Sequence, residues 1–120
     1  MSADVLKDLA PTGTLRAAIN YGNGVLAQRG ADDQNPKGVS GDLARELGKR
    51  LGVAVTVVAF DAAGKVFDAL EAGPSDPKAW DVAFLAIEPV RAAQIAFTAP
   101  YVLIEGTYLV RKDSALQTTA

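Results

Sequence analysis

The residues best placed to do chemistry in this 120-residue chain are Glu88 and Arg91, in the run Ala86-Ile87-Glu88-Pro89-Val90-Arg91. Pro89 reads as the first residue of a short helix through Gln94, because its fixed φ suits that position and its missing N–H costs nothing there. An arginine three residues into that run, beside free backbone N–H groups, makes an anion site that a carboxylate fits bidentately. The same spacing equally suits an i, i+3 surface pair between Glu88 and Arg91, with no ligand involved. Leu85 and Ala86, immediately upstream, belong to the same candidate edge. Tyr21 and Asn23 offer an aromatic face and an amide to a small ligand, or else a tight turn in which Gly22 and Asn23 tolerate left-handed backbone.

Two further signals are weak. Gly22-Asn23-Gly24 lacks the third glycine and the Lys-Ser/Thr pair of a phosphate loop. Asp32-Asp33 has no third acidic residue at a metal-loop spacing and reads as a solvated pair.

Composition narrows the chemistry. The chain has no His and no Cys, which excludes a Ser-His-Asp triad, a thiol nucleophile, a disulfide frame and an ordinary zinc or haem site. No cofactor is implied. With 12 Lys+Arg against 14 Asp+Glu, the chain lacks the cationic surplus that nucleic-acid affinity draws on. No window approaches the ~20 continuous apolar residues of a membrane span. The opening residues, Met1 to Asp8, are charged and carry no apolar signal-peptide core.

The elements that must position these residues follow from hydropathy patterning. Thr14–Asn20 reads as a buried strand bounded by Gly13 and Gly22. Residues 21–40, rich in Gly, Asn, Asp and Gln, read as a long loop of the kind that carries function. Leu43, Leu47 and Leu51 repeat every four residues as one helical face. Ser40 suits the N-cap of that helix, Asp42 its first turn, Lys49 and Arg50 its last, and Gly52 its C-terminal stop. Val53–Phe60 is nearly continuous in apolar and β-branched residues, as in a strand covered on both faces. Asp61 would cap a second helix with Val66, Phe67, Ala69 and Leu70 inward, ending at Gly73-Pro74. Trp80–Ala86 reads as a third strand, Ile95–Phe97 as a brief strand and Tyr101–Arg111 as a longer one. This alternation predicts an α/β fold, a three-layer sandwich with a mostly parallel sheet flanked by helices. Ligands of such sheets bind beyond the carboxyl ends of the strands, the edge to which Asn20–Asn23, Asp61–Gly64 and Ala86–Arg91 lead.

An ordered set of short pieces resembles the bacterial extracellular solute-binding proteins of family 3. The pieces are Gly13–Arg16, Lys37–Leu47, Arg50–Val53, Phe67–Gly73, Trp80–Val82, Pro89–Ala92 and Ile95–Tyr101. The resemblance implies one lobe of a periplasmic-binding-protein type 2 clamshell, spanning residues 1–112, with 113–120 a linker toward a second lobe. It also implies an extracytoplasmic setting and an ABC permease as partner. It implies a small polar, amino-acid-like or other carboxylate-bearing solute, gripped at its carboxylate by Arg91. Ala86 stands where such proteins commonly have a Ser or Thr hydroxyl, and Glu88 where a Thr commonly caps the helix. Val39 and Ser40 replace an aromatic-Asp pair. A solute with a cationic or hydroxylated head, contacted by Glu88, fits equally well.

The leading expectation is therefore a solute-binding lobe whose affinity alone is weak, because the opposing lobe supplies the remaining contacts. The alternatives are a clamshell enzyme of the dehydratase or lyase type, with Glu88 as acid/base but no matched partner, or a ligand-sensing module. A phosphate-receiver domain is excluded by Asn20-Tyr21 and Ala86-Ile87, which stand where it needs acidic residues. The apolar segment Tyr101–Val110 predicts a homodimer or other self-association, since an uncovered strand edge invites pairing.

Overall fold

The computed structural model describes residues 2–116. The chain divides into two units, residues 1–86 and 87–120. The first holds a three-stranded parallel sheet in the order β2-β1-β3, formed by β1 (Leu15–Asn20), β2 (Val55–Phe60) and β3 (Val82–Ala83). Three helices accompany it: α1 (Ala3–Leu9), α2 (Val39–Leu51) and α3 (Ala63–Asp68), the last running into a 3₁₀ turn over Ala69–Ala72. In the second unit the assigned element is the short helix α4 (Pro89–Ala92).

β1 is the central strand and carries the deepest burial, with Leu15, Ala17, Ala18 and Ile19 essentially inaccessible. Its register pairs Leu15 with Val55 and runs through Asn20 with Phe60. Side chains alternate across the sheet. One face brings Ala18, Val58 and Phe60 onto Val66 of α3, with Trp80, Ala83 and Leu85 packed against them. The other joins Ile19 and Val57 to Ala27 of the long loop, with Tyr21 and Phe84 alongside. α2 lies on that second face: a Cβ on its Gly48 would collide with Val55 Cγ2. Layers on both faces of the sheet make the three-layer α/β sandwich expected from the alternation.

The expected face of α2 is corrected. Its buried positions are Ser40, Gly41, Ala44, Gly48 and Leu51, while Leu43 is exposed. Small residues bring the helix axis close to the valines of β2, and a row of leucines would hold it away. Ser40 is not the N-cap. That position is Gly38, whose φ of +99° is strained for any residue with a side chain, and whose added Cβ would press to 2.7 Å from the Leu26 carbonyl. Ser40 lies inside the first turn, its N–H donating to Leu26 O at 3.0 Å. Asp61 does not cap α3 either. Ala62 holds that position, and the Asp61 carboxylate is turned to Arg29.

The third strand is shorter than the apolar run Trp80–Ala86. The Asp81 carboxylate accepts from the Arg16 N–H at 2.9 Å, a donor that a longer ladder would use, so side-chain pairing replaces strand pairing at that end. Neither 95–97 nor 101–111 is a strand. Their composition favours extended backbone, but a strand needs a ladder partner and none pairs with them among the described residues. Residues 117–120 of the expected tail lie outside the described residues. α1 was missed altogether, although Ser2 accepts from Val5 N–H at 3.4 Å as an N-cap, with Asp4 in the first turn and Lys7 in the last.

Candidate functional site

At the carboxyl end of β1 the chain turns sharply. Tyr21 N–H donates to Phe60 O at 2.8 Å, and Gly22 N–H is taken by the Asn20 side chain at 2.9 Å. Asn23 is half-buried, and its carbonyl accepts from Leu26 and Ala27 at 3.2 and 3.0 Å. Residues 28 and 37 then meet in an isolated antiparallel bridge, so the loop is a folded-back strap with its own hydrogen bonds.

Tyr21 and Asn23 thus share one turn, as their spacing suggested. The Tyr21 ring is already engaged. The Arg29 guanidinium lies over its face, 4.4 Å from the centroid, and the hydroxyl donates to Asp33 O at 2.9 Å. Arg29 also pairs with Asp33 Oδ1 through Nε and with Asp61 Oδ1 through Nη2, both at 3.0 Å. One exposed guanidinium therefore ties the strap to the segment after β2. Burial of the phenol, then the nearby Asp33 charge, push the Tyr21 pKa above 10.0, with Arg29 opposing them. The Arg29 hydrogen bond holds the Asp61 carboxyl below its ordinary 3.8.

Arg29 was not singled out from sequence, and Asp61 was read there only as a helix cap at the carboxyl edge of the sheet. The Arg29–Asp33 spacing of i, i+4 was the only local signal. The contacts to Tyr21 and Asp61 depend on loop closure and on the carboxyl ends of β1 and β2 being adjacent. Gln34 was also missed. Its side-chain amide accepts from Val57 N–H at 2.9 Å and donates to Val57 O at 2.7 Å. Asp32 and Asp33 serve the strap: Asp32 Oδ1 accepts from Gln34 N–H and Asn35 Nδ2. Among the described residues no cluster of three or more metal-binding side chains occurs, and no helix is long and apolar enough to cross a membrane.

Leu85 is half-buried against the Ala18–Val58–Phe60–Val66 cluster, and Ala86 ends the first unit exposed. In the second unit, α4 begins as its proline predicts, with Glu88 extended at the N-cap. Arg91 Nε lies 3.7 Å from Glu88 Oε2, the i, i+3 pairing, with the arginine side chain only 14% exposed and Glu88 55%.

A parallel sheet layered by α2 and α3, with its loops gathered at the carboxyl edge, is the fold of one lobe of a periplasmic-binding-protein type 2 clamshell. The chain belongs to the bacterial extracellular solute-binding proteins, family 3, whose family model matches residues 25–117. No curated protein and no solved structure matches it at a significant level. The matched region takes in Arg29, Glu88 and Arg91 and leaves Tyr21 and Asn23 just upstream. A solute-binding domain of a transport system is the role this membership defines.

Proposed function

We propose that the chain recognises a small polar, carboxylate-bearing solute as the substrate-binding component of an ABC importer, with Arg91 gripping the carboxylate. The observation that carries this reading is the family match over residues 25–117, within which Arg91 is a largely covered arginine at the start of the second unit. A guanidinium matches a carboxylate bidentately, and such a pair strengthens where water is excluded. Glu88, beside it, disfavours purely anionic solutes and favours those that also carry an ammonium or hydroxyl. Leu85, Ala86, Tyr21 and Asn23, all in the first unit, are the remaining candidates from the sequence, to be tested separately from the Glu88–Arg91 pair. A lobe working alone forgoes the contacts of an opposing jaw, so binding by residues 1–120 is weak. Binding rather than catalysis is the role, since Glu88 pairs with Arg91 and no second acid–base group has been assigned to act with it.

A thermal-shift and calorimetric screen of amino acids, polyamines and small organic acids tests this. Carboxylates are expected to bind weakly and Arg91→Ala to abolish the response. Binding of polyamines alone, unaffected by Arg91→Ala, overturns the carboxylate assignment. Micromolar affinity for any compound overturns the requirement for a second jaw.

The proposal includes self-association through residues 101–110. Every residue of that segment is exposed, with Leu103 at 87% and Leu109 at 98%. So much uncovered apolar surface favours pairing with another chain.

A further inference from the structure

The outer edge of β2 is a covered strand-pairing template. Leu15 N–H donates to Ala54 O and Tyr21 N–H to Phe60 O, so residues 54, 56, 58 and 60 face β1. Parallel geometry then turns the backbone groups of Val55, Val57 and Ala59 to the opposite edge. At the middle of that edge the Gln34 amide takes both the N–H and the C=O of Val57. One side-chain amide thereby does what one peptide unit of a neighbouring strand would do. At the next position Lys78 Nζ donates to Ala59 O at 2.8 Å. Natural proteins protect sheet edges with such devices because the bare edge recruits strands. Beside Gln34 lies a cavity of about 300 Å³ between β2 and α2, lined in part by Pro36, Ala44, Arg45, Val55 and Val57. An edge strand flanked by a helix and a hollow of mixed polarity is a geometry in which an extended peptide adds to a sheet. Backbone bonds then give affinity, and a side chain in the hollow gives selectivity.

We propose that this edge is the receiving surface for a second copy of the chain, whose 101–110 segment adds alongside β2 in place of the Gln34 side chain. The occupant is identified by complementarity. Val102-Leu103-Ile104 and Thr107-Tyr108-Leu109-Val110 are rich in β-branched and aromatic residues, are exposed and lie in no assigned strand among the described residues. The backbone of an added strand matches the Val57 pair that Gln34 satisfies, and Val53, Val55 and Val57 give its apolar side chains part of the hollow to pack on. Gln34 is exposed and held mainly by those two bonds, so its departure costs little once a strand replaces them. The inference rests on the self-association reading above and adds its receptor.

The test exploits the absence of cysteine from the chain. Thr56→Cys and Leu109→Cys proteins, both substituted at exposed positions, are mixed under mild oxidation, and light scattering follows wild type and Gln34→Ala over a concentration series. The expected results are a heterodimer cross-linked between positions 56 and 109, and an association constant raised about five- to tenfold in Gln34→Ala, the scale of removing a competing pair of hydrogen bonds. Dimers linked only through position 109, or association unchanged or weakened by Gln34→Ala, overturn the β2 edge as receptor and leave self-association standing. Monomers throughout, with no cross-link, overturn both.

Discussion

Arg16 and Asp81 hold each other through side chain and backbone at once. Nε and Nη2 of Arg16 donate to the two carboxylate oxygens at 3.0 and 2.6 Å, Arg16 N–H donates to Oδ2, and Asp81 N–H returns to Arg16 O at 2.8 Å. The side chains are only 15% and 4% exposed, and Arg16 Nη1 reaches on to Pro74 O. Asp81→Ala leaves Nε and Nη2 of a covered guanidinium and a strand N–H without their acceptors, and is expected to cost about 3 kcal/mol. Asp81→Asn keeps an acceptor for that N–H and costs about 1–2 kcal/mol. Urea unfolding measures both, and equal losses would refute the backbone contribution.

Two helical glycines should respond oppositely to alanine. Gly48→Ala drives a methyl into Val55 Cγ2 and to 3.1 Å from Val53 O, so overpacking outweighs the gain in helix propensity and stability falls by about 1–2 kcal/mol. Gly64 in α3 faces open space, and Gly64→Ala should raise stability by up to about 1 kcal/mol. Denaturant midpoints at constant m decide the matter.

Tyr21 should ionise above the ordinary tyrosine value of 10.0. Its folded pKa is raised, so it contributes stability below 10.0 that is lost as pH rises through the higher folded value. Arg29 acts in the opposite sense, by attracting the phenolate. Tyrosinate absorbance, assigned with Tyr21→Phe, should therefore show a later Tyr21 midpoint in Arg29→Ala. A midpoint moved earlier would contradict the stacked geometry.

Asp61 supplies an acid-side counterpart. Its folded pKa is lowered, so its contribution is present above 3.8 and is lost as pH falls through the depressed folded value. Arg29→Ala or Asp61→Asn should flatten the stability profile over that acid range, and high salt should act similarly because the pair is exposed. A pH series of urea midpoints is the check.

How much of this was legible in the sequence divides along physical lines. β1, β2 and the start of α4 follow from local signals: β-branched runs bounded by glycine, and a proline at N1. The family pieces likewise carried the fold. The Leu43 face failed because periodicity identifies apolar positions, whereas α2 docks through Gly41, Ala44 and Gly48, residues chosen for what they lack. The 101–111 strand failed because extended propensity is unrealised without a partner. Of the candidate residues, Tyr21 and Asn23 were placed together by simple adjacency. The pairings of Arg29, Asp61 and Gln34 were invisible because each meets its partner only after the strap folds back on the sheet.

The central position of β1 bears on how the chain is made. β1 leaves the ribosome first among the strands, yet its partners are Val55–Phe60 on one side and Val82–Ala83 on the other. Its apolar core residues must therefore wait, unpaired, until β2 and then β3 have been made, since domains emerge and fold in the N- to C-terminal direction. Closure of so distant a pairing is intrinsically slow. The nascent polypeptide consequently exposes for longest the strand that ends up most deeply buried, which makes β1 the segment a holding chaperone would be expected to meet.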